Sequence, residues 1–590
     1  MTRKNMSLPD WRKTAPKAQS FRSIFKWGAP DGFKHPGPGL FELLKSTFTL
    51  NDADFIKRSN EGDEKVVLQN SPAQRLTAGQ VHVLENIVGK DNINADDYSR
   101  VKFSSGKTME EIILLRNNTT GPLCDLVVHP RNKADIQKIV TYAHEQGFPI
   151  YVYGGGSSVT LGLRPVKGGI TLVMSTHMNR VIAFNETNRT ITVESGILGP
   201  AFEQTLNRAP ILFKARFAYT CGHFPQSFEF SSVGGWIVAK GSGQQSSYYG
   251  DACDMVISQE YITPSGSFKT LDYPSTATGP MVNDIMKGSE GAFGVLVNVT
   301  LKIFRYQPEN REYFSYILPS FPDAVNACRD ISQGEFGMPS VLRISDAEET
   351  WAGLKQHGIE GTILDRFITM RGYKPFERCL LIGHTEGERR FSKSVYKTIK
   401  KTCKHHGGMS LTGYPVKKWE KSRYSDPYMR EDLNDFGIWM DTLETAVTWD
   451  KLHQVHTEVR AFIKSRPKTL CLTHCSHFYP QGPKLYFIFI SNFSTVDEYK
   501  HFQEAIVDQI EKSGGSLSHH HGIGKMISPL MERHLGKEQM GVLRALKTHF
   551  DPKGIMNPGG TLGLDPCELP FSSLGEVQSS GLTSQSGKDF

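Results

Sequence analysis

Two α+β units in succession are what the sequence predicts, and three observations carry that expectation. A strand–helix–strand pattern over residues 125–153 runs into three consecutive glycines. The chain then stays strand-rich to about Arg305, broken by turns at Pro264-Ser-Gly266 and Gly288-Ser-Glu-Gly291. From about 308 to 510, strand-type and helix-type periodicities alternate.

Taken in order, residues 1–119 read as an irregular, partly helical extension. Its Gly/Pro punctuation spans Gly32 to Gly39, and helical patterns fall near Leu40–Leu44 and Ala78–Val88. It carries no evident chemistry and suits a packing or dimerising role. Residues 120–307 form the first unit. Asp125-Leu-Val-Val128 is a short strand stopped by Pro130. Ala134–Gln146 places Ile136, Ile139, Val140 and Ala143 at helical spacing, with Gly147 just past the end. Pro149–Tyr153 is the next strand, which makes a βαβ unit. Further strands are expected at Ile170–Met174, Val181–Ile182, Thr190–Val193, Glu260–Thr263 and Val295–Phe304. In residues 308–510 the expected strands are Tyr313–Leu318, Leu380–Gly383 and Leu485–Ile490. The expected helices are Phe321–Ile331, Glu388–Cys403 and Trp449–Ser465. Residues 511–564 add a histidine-rich loop and a helical return. The Ser/Gly-rich tail 565–590 reads as disorder.

Composition narrows the function classes. The chain has 590 residues, 38% hydrophobic and 22% charged, with a net charge of +7 spread over both signs. No basic block points to nucleic acid. No apolar run approaches the roughly 18 residues that span a bilayer. Nine scattered cysteines fit a reducing compartment. With no secretory pattern behind Met1 and an ending of Lys588-Asp-Phe590, a cytoplasmic location is the expectation.

Chemistry is concentrated in a few stretches. Val152-Tyr153-Gly154-Gly155-Gly156-Ser157-Ser158 ends a strand in a loop whose N–H groups and hydroxyls suit an anion such as a phosphate. Pro225-Gln226-Ser227-Phe228-Glu229-Phe230-Ser231, then Ala239-Lys240-Gly241-Ser242, then Glu290-Gly291-Ala292-Phe293-Gly294-Val295-Leu296 repeat that glycine and hydroxyl character. A long ligand with a pyrophosphate and a flat ring would use them all. Thr473-His474-Cys475-Ser476-His477-Phe-Tyr479, with Cys471, could be a metal cluster, but a strand sends alternate residues to opposite faces. Ser518-His519-His520-His521-Gly522-Ile-Gly524 follows the strand-like Gly515–Ser518. Imidazoles near neutrality suit an active-site wall, although a solvated loop is the plainer alternative.

These motifs, in this order, resemble the vanillyl-alcohol-oxidase/PCMH-type FAD-binding flavoprotein family over roughly residues 120–560. The resemblance implies a two-subdomain PCMH-type FAD-binding domain with an α+β cap over the flavin. It implies FAD contacts at the four glycine and hydroxyl stretches above. Ser157 stands where many relatives carry the histidine that links flavin covalently, so the FAD is expected to be non-covalent. Metal-using 2-hydroxy-acid dehydrogenases of the family carry His-x-Gly-Asp-Gly-Asn-x-His and Glu-His-Gly runs. Both are broken here, at His477 onward and at His520-His521-Gly522, and no metal is expected.

The departures instead resemble the alkylglycerone-phosphate synthases, the ether-lipid branch of the family. That resemblance implies exchange of the acyl chain of acyl-dihydroxyacetone phosphate for a fatty alcohol without net redox, with the substrate carbon bonded to flavin N5. It implies catalytic roles for Tyr479, His519, His520 and His521, a phosphate-binding Arg430 and a substrate-side Arg343. A surface ion pair is the alternative for either arginine. A homodimer, a peripheral membrane contact and a peroxisomal location are further implications. The branch's N-terminal peroxisomal address is absent, and Arg75-Leu76…His82 is an internal near miss. The segment between Pro210 and Cys221 looks longer than its counterpart, which bears on the substrate mouth. The alternative function is an FAD-dependent oxidase or dehydrogenase acting on a 2-hydroxy acid or an alcohol.

Overall fold

The computed structural model describes residues 9–56, 58–69 and 74–565, so the C-terminal tail expected to be disordered lies, but for Asp565, outside the described residues. The βαβ unit forms as the periodicity predicts. The helix Lys133–Gln146 is capped by the Asn132 side chain and ends at Gly147, whose φ of 74° needs no Cβ. Strands Leu126–Val128 and Ile150–Tyr153 are parallel, but they do not touch. Ile170–Val173 inserts between them and pairs with both. A second, antiparallel sheet of five strands runs in the order Val181–Asn185, Thr190–Glu194, Val295–Lys302, Val256–Thr263, Gly266–Lys269. Its apolar face closes over Phe202, Trp236 and Tyr261.

The second unit is one seven-stranded antiparallel sheet, in the order Met409–Ser410, Glu312–Leu318, Cys379–Thr385, Val341–Ser345, Leu470–Tyr479, Gly482–Ser491, Trp439–Ala446. Period two sorts its side chains. Leu485, Phe487 and Phe489 bury into the core under the covering helices, while Lys484, Tyr486, Ile488 and Ile490 face a cavity between the two units.

Two expectations are corrected. Gly515–Ser518 is not a strand; its Ser516 N–H is bonded to the Ala446 carbonyl, which holds it as a loop at a sheet edge. The extension, expected to carry no chemistry, also supplies cavity wall. Its Trp27, Lys34 and Leu40 line the cavity. The segment after Pro210 packs outward instead, with Phe213 stacked on Phe184 and the Arg216 and Phe217 N–H groups donated to Glu186. None of its residues lines the cavity.

The extension is fastened to the helix Met429–Asn434 by buried charge. Lys26 pairs with Glu431, the Trp27 N–H donates to Glu431 Oε1 at 2.8 Å, and His35 pairs with Asp432 at 2.5 Å. Just beyond the helix, Asp435 receives Arg22 at 2.9 Å and Arg116 at 2.6 Å, with Arg12 at 3.7 Å. Removing the one buried anion shared by three buried guanidiniums leaves them only the more exposed Asp63 and Glu61 as partners. Asp435→Ala should therefore cost about 3–5 kcal/mol, read as a lower urea midpoint. An unchanged midpoint would show that the cluster does not hold the extension.

Candidate active site

Strand Ile150–Tyr153 delivers the glycine loop to the cavity wall. Among the described residues no protein acceptor takes the N–H groups of Gly154, Gly155, Gly156, Ser157 or Ser158, so they are left as a donor nest. The glycines are required by packing as well. A Cβ on Gly155 would lie 1.8 Å from the Phe230 carbonyl oxygen, and one on Gly154 would lie 2.2 Å from Ser232 Oγ. The cavity, about 1500 Å³, is lined here by the loop, by Pro225, Gln226, Ser227 and Ser231, and by Ala239, Gly241 and Ser242. Glu290, Gly291, Gly294 and Leu296 complete that end. Ser195 Oγ, buried on the same wall, has no partner among the described residues. Open amides, small hydroxyls and absent Cβ atoms fit the pyrophosphate and ring of FAD.

Eight expected contacts stand behind this wall. Tyr153, Phe228, Glu229, Phe230, Lys240, Ala292, Phe293 and Val295 do not line the cavity. Phe230 meets Trp27 edge-on, Glu229 accepts from the Tyr428 hydroxyl at 3.0 Å, and Phe293 packs on Phe550.

The sheet floor supplies the polar side chains. In Leu470–Tyr479, Leu472, His474 and Ser476 face the cavity and Cys471 and Cys475 face the core, so the possible metal cluster is split between two faces. A register shift between Ser476 and Phe478, with His477 at φ 54°, then changes the parity. His477 joins the cavity side, and Phe478 returns to the core. His477 Nδ1 meets Ser246 Oγ at 2.7 Å and Ser242 Oγ at 2.8 Å.

The histidine loop is held from below by a residue of the neighbouring sheet edge. The buried Glu444 carboxylate accepts from the Ser518 hydroxyl at 2.8 Å and from the N–H groups of His519, His520 and His521 at 2.8, 3.1 and 3.0 Å. Burial works against its charge, but His520, His521 and His519 hold it well below the usual carboxylate range. Burial likewise lowers all three imidazoles, His520 the most strongly. They stand as neutral donors and acceptors at neutral pH. On the far side, Glu290 accepts the Ile523 and Gly524 N–H groups, both at 2.7 Å, which ties this loop to the glycine-rich FAD wall.

Tyr479 donates to Asp251 Oδ2 at 2.7 Å and meets His519 Nε2 at 2.8 Å. Burial and then the Asp251 charge push its phenol up, not down. A basic neighbour, not a depressed pKa, is what the site supplies. Neither Tyr479 nor His519 lines the cavity itself; His520, His521, Arg430 and Arg343 do. Arg430 gives one hydrogen bond to the Lys107 carbonyl at 3.3 Å and lies 5.6 Å from the Trp27 ring. Arg343 is partly neutralised, bound to Glu349 at 2.7 Å and within 3.2 Å of His474 Nδ1. Lys484, lining the cavity with its ammonium 4.2 Å from the Tyr486 ring, is pushed down to about 7 by burial.

Trp27, His477, Lys484 and Asp251 were not assigned from sequence. The run Tyr249-Gly250-Asp251 and the alternation in Gly482–Ser491 were the available signals. Trp27 offered none, since only a long-range contact brings it here.

Residues 124–272 match the family described as FAD binding domain, and residues 307–561 match FAD linked oxidases, C-terminal domain. A 4-ethylphenol oxidase from Gulosibacter chungangensis shares the fold at a TM-score of 0.61 and 15% identity, covering 83% of this chain and 98% of its own. Fold and cradle thus define an FAD-dependent enzyme of the PCMH type. More closely, a Dictyostelium discoideum alkyldihydroxyacetonephosphate synthase is 30% identical over 561 residues, 90% of this chain and 88% of the relative. A Trypanosoma brucei brucei protein of the same name is 28% identical over 90% and 89%. A solved alkyldihydroxyacetonephosphate synthase superposes with a TM-score of 0.76 at 25% identity, over 92% of this chain and 99% of its own. The chain belongs to the alkyldihydroxyacetonephosphate synthase family.

Ligand atoms of Glu444, His519 and His520 lie within 4.8 Å of one another, a grouping that the broken sequence runs did not suggest. The Glu444 oxygens are already taken by four donors, and a metal ion would have to displace them. Chelators should therefore leave activity unchanged. Loss with EDTA, restored by zinc or manganese, would reverse this.

Proposed function

We propose that the enzyme replaces the acyl chain of acyl-dihydroxyacetone phosphate with a fatty alcohol, forming an ether bond with no net redox change. The observation that carries this is the gradient on the cavity floor. Cross-strand neighbours run from Ser476 and Lys484, through His474 and Tyr486, to Leu472 and Ile488. The adjacent edge strand repeats it, from Thr442 to Met440. One end suits a charged headgroup and the other an aliphatic chain. Leu354, Ile359, Leu364, Phe367 and Ile368 extend the apolar lining. A small hydroxy acid would leave that lining unused.

Arg430 offers the fork suited to a phosphate. His520 and His521 orient the reacting oxygens, and His519 and Tyr479 behind them help to move the proton. Bound FAD supplies the electron-accepting ring at the reacting carbon, held by the amide nest and, with Ser157 in place of a linking histidine, not covalently attached. The helix Ile363–Met370 turns Ile363 and Met370 to solvent at 86% and 78% exposure, close to Arg366, Arg371 and Lys374 in sequence. An apolar face beside cations suits a lipid surface. We take it as the peripheral contact through which the lipid substrates arrive. No helix among the described residues is long and apolar enough to cross a membrane.

Acid or heat should release the flavin from the polypeptide; flavin precipitating with the chain would overturn non-covalent binding. The deciding assay supplies labelled acyl-dihydroxyacetone phosphate and hexadecanol and scores alkyl product beside dye reduction. Alkyl product without dye reduction is expected, and the reverse would establish the oxidase or dehydrogenase. Arg430→Ala should raise KM for the phosphorylated substrate roughly ten- to hundredfold, as expected from losing a charged hydrogen bond of about 1.5–3 kcal/mol, while FAD content stays normal. An unmoved KM would place the phosphate elsewhere.

A further inference from the structure

Four side chains are linked in a line that starts at the cavity and ends on a carboxylate outside it. His520 lines the cavity, and its Nδ1 lies 3.2 Å from His519 Nδ1. His519 Nε2 lies 2.8 Å from the Tyr479 oxygen, and the Tyr479 hydroxyl donates to Asp251 Oδ2 at 2.7 Å. Glu444 Oε2, 3.5 Å from His520 Nδ1, favours the tautomer with the proton on that nitrogen. His520 Nδ1–H then donates to His519 Nδ1, and His519 Nε2–H donates to Tyr479. Every donor in the line points away from the cavity.

We propose that His520, His519, Tyr479 and Asp251 form a proton wire that carries a substrate proton from the cavity wall to Asp251. The proposal rests on the function proposed above and adds that the exchange includes loss of a proton from a carbon beside the substrate ketone. His520 Nε2 takes that proton, and the C–H electron pair stays on the substrate, delocalised towards the ketone oxygen. His520 Nδ1–H passes to His519 Nδ1, His519 Nε2–H passes to the phenol oxygen, and the phenol proton passes to the Asp251 carboxylate. One proton leaves the substrate and one arrives on Asp251. Both rings exchange tautomers and remain neutral, and Tyr479 remains a phenol.

Burial supports such a line, since it disfavours imidazolium and tyrosinate alike. It also gives Tyr479 a role that does not need it to touch the cavity. The other groups facing Asp251 are Ser242, which donates to Oδ1, the Asp254 backbone N–H, the Asp254 carboxylate, which accepts the Asp251 N–H at 2.9 Å, and the His223 and His519 imidazoles. Asp251 also caps the short turn Ala252–Met255, so a purely structural role is the competing account.

Asp251→Asn separates the two, because asparagine caps as well as aspartate and still accepts from Tyr479 but cannot take its proton. In the FAD-loaded enzyme, KM and flavin content should hold while kcat falls about 10²-fold, the lower end for a general acid–base group. Formate should restore part of the rate, and Asp251→Glu should keep most of it. A variant with the wild-type rate, or one whose loss formate and glutamate both fail to rescue, would overturn the wire. A second measurement needs no turnover. The ultraviolet titration of Tyr479, taken as the difference from Tyr479→Phe, should move down in Asp251→Asn while burial still holds it above the ordinary tyrosine range, and no movement would overturn the wire. If wild type forms no alkyl product, the proposed function fails, and this titration still tests the contact.

Discussion

Everything at the reacting end of the cavity hangs from one buried carboxylate. Glu444 sits on the last strand of the cap sheet and takes four donors from a loop more than seventy residues further along the chain. Without an anion there, consecutive backbone N–H groups would be buried with nothing to receive them, at about 1–3 kcal/mol each. The loop's other side is drawn to Glu290 in the FAD-binding unit. Two acidic residues, one from each unit, therefore fix the distance between flavin cradle and cap. The histidines inherit their positions from the backbone, and ring contacts to Glu444 and Tyr479 then orient His520 and His519.

A similar division of labour holds Arg430. It lies on a six-residue helix whose residues are all buried, too short to be stable alone. The N-terminal extension wraps it with paired charges, and Trp27 completes the cavity wall beside the guanidinium. The extension is thus part of the cavity wall through packing, although it carries no motif.

What the sequence revealed and what it hid follow a physical line. The glycine loop was legible because close backbone approach and free N–H groups restrict the residue type at each position. The sheet and helices were legible from periodicity, and the expected helix Ala78–Val88 forms with those bounds. The histidine triplet stood out by composition. Asp251 and Glu444 did not, because a lone carboxylate is common, and only tertiary contact puts one behind Tyr479 and the other under three imidazoles. A phenol that is to move a proton near neutrality needs a lowered pKa or a basic neighbour, and Tyr479 has the second. Its environment supplies the base and raises the pKa. Trp27 and the fastening at Asp435 join residues hundreds of positions apart and leave no local pattern.

The left-handed turn at His477 has a consequence for how this site tolerates change. A strand has only two faces, so chain length acts on it as a parity. The bulge is an odd residue that puts both His474 and His477 towards the flavin side, three positions apart, where a regular strand would oppose them. Deleting Ser476 or His477 would turn the bulge into a regular strand, with Phe478 still opposite Pro483 on the core side, and would take one polar side chain from the cavity. A length change of one residue elsewhere in the strand has no such slack and would flip each later side chain up to the turn. The chemistry at this edge of the sheet is counted as well as spelled.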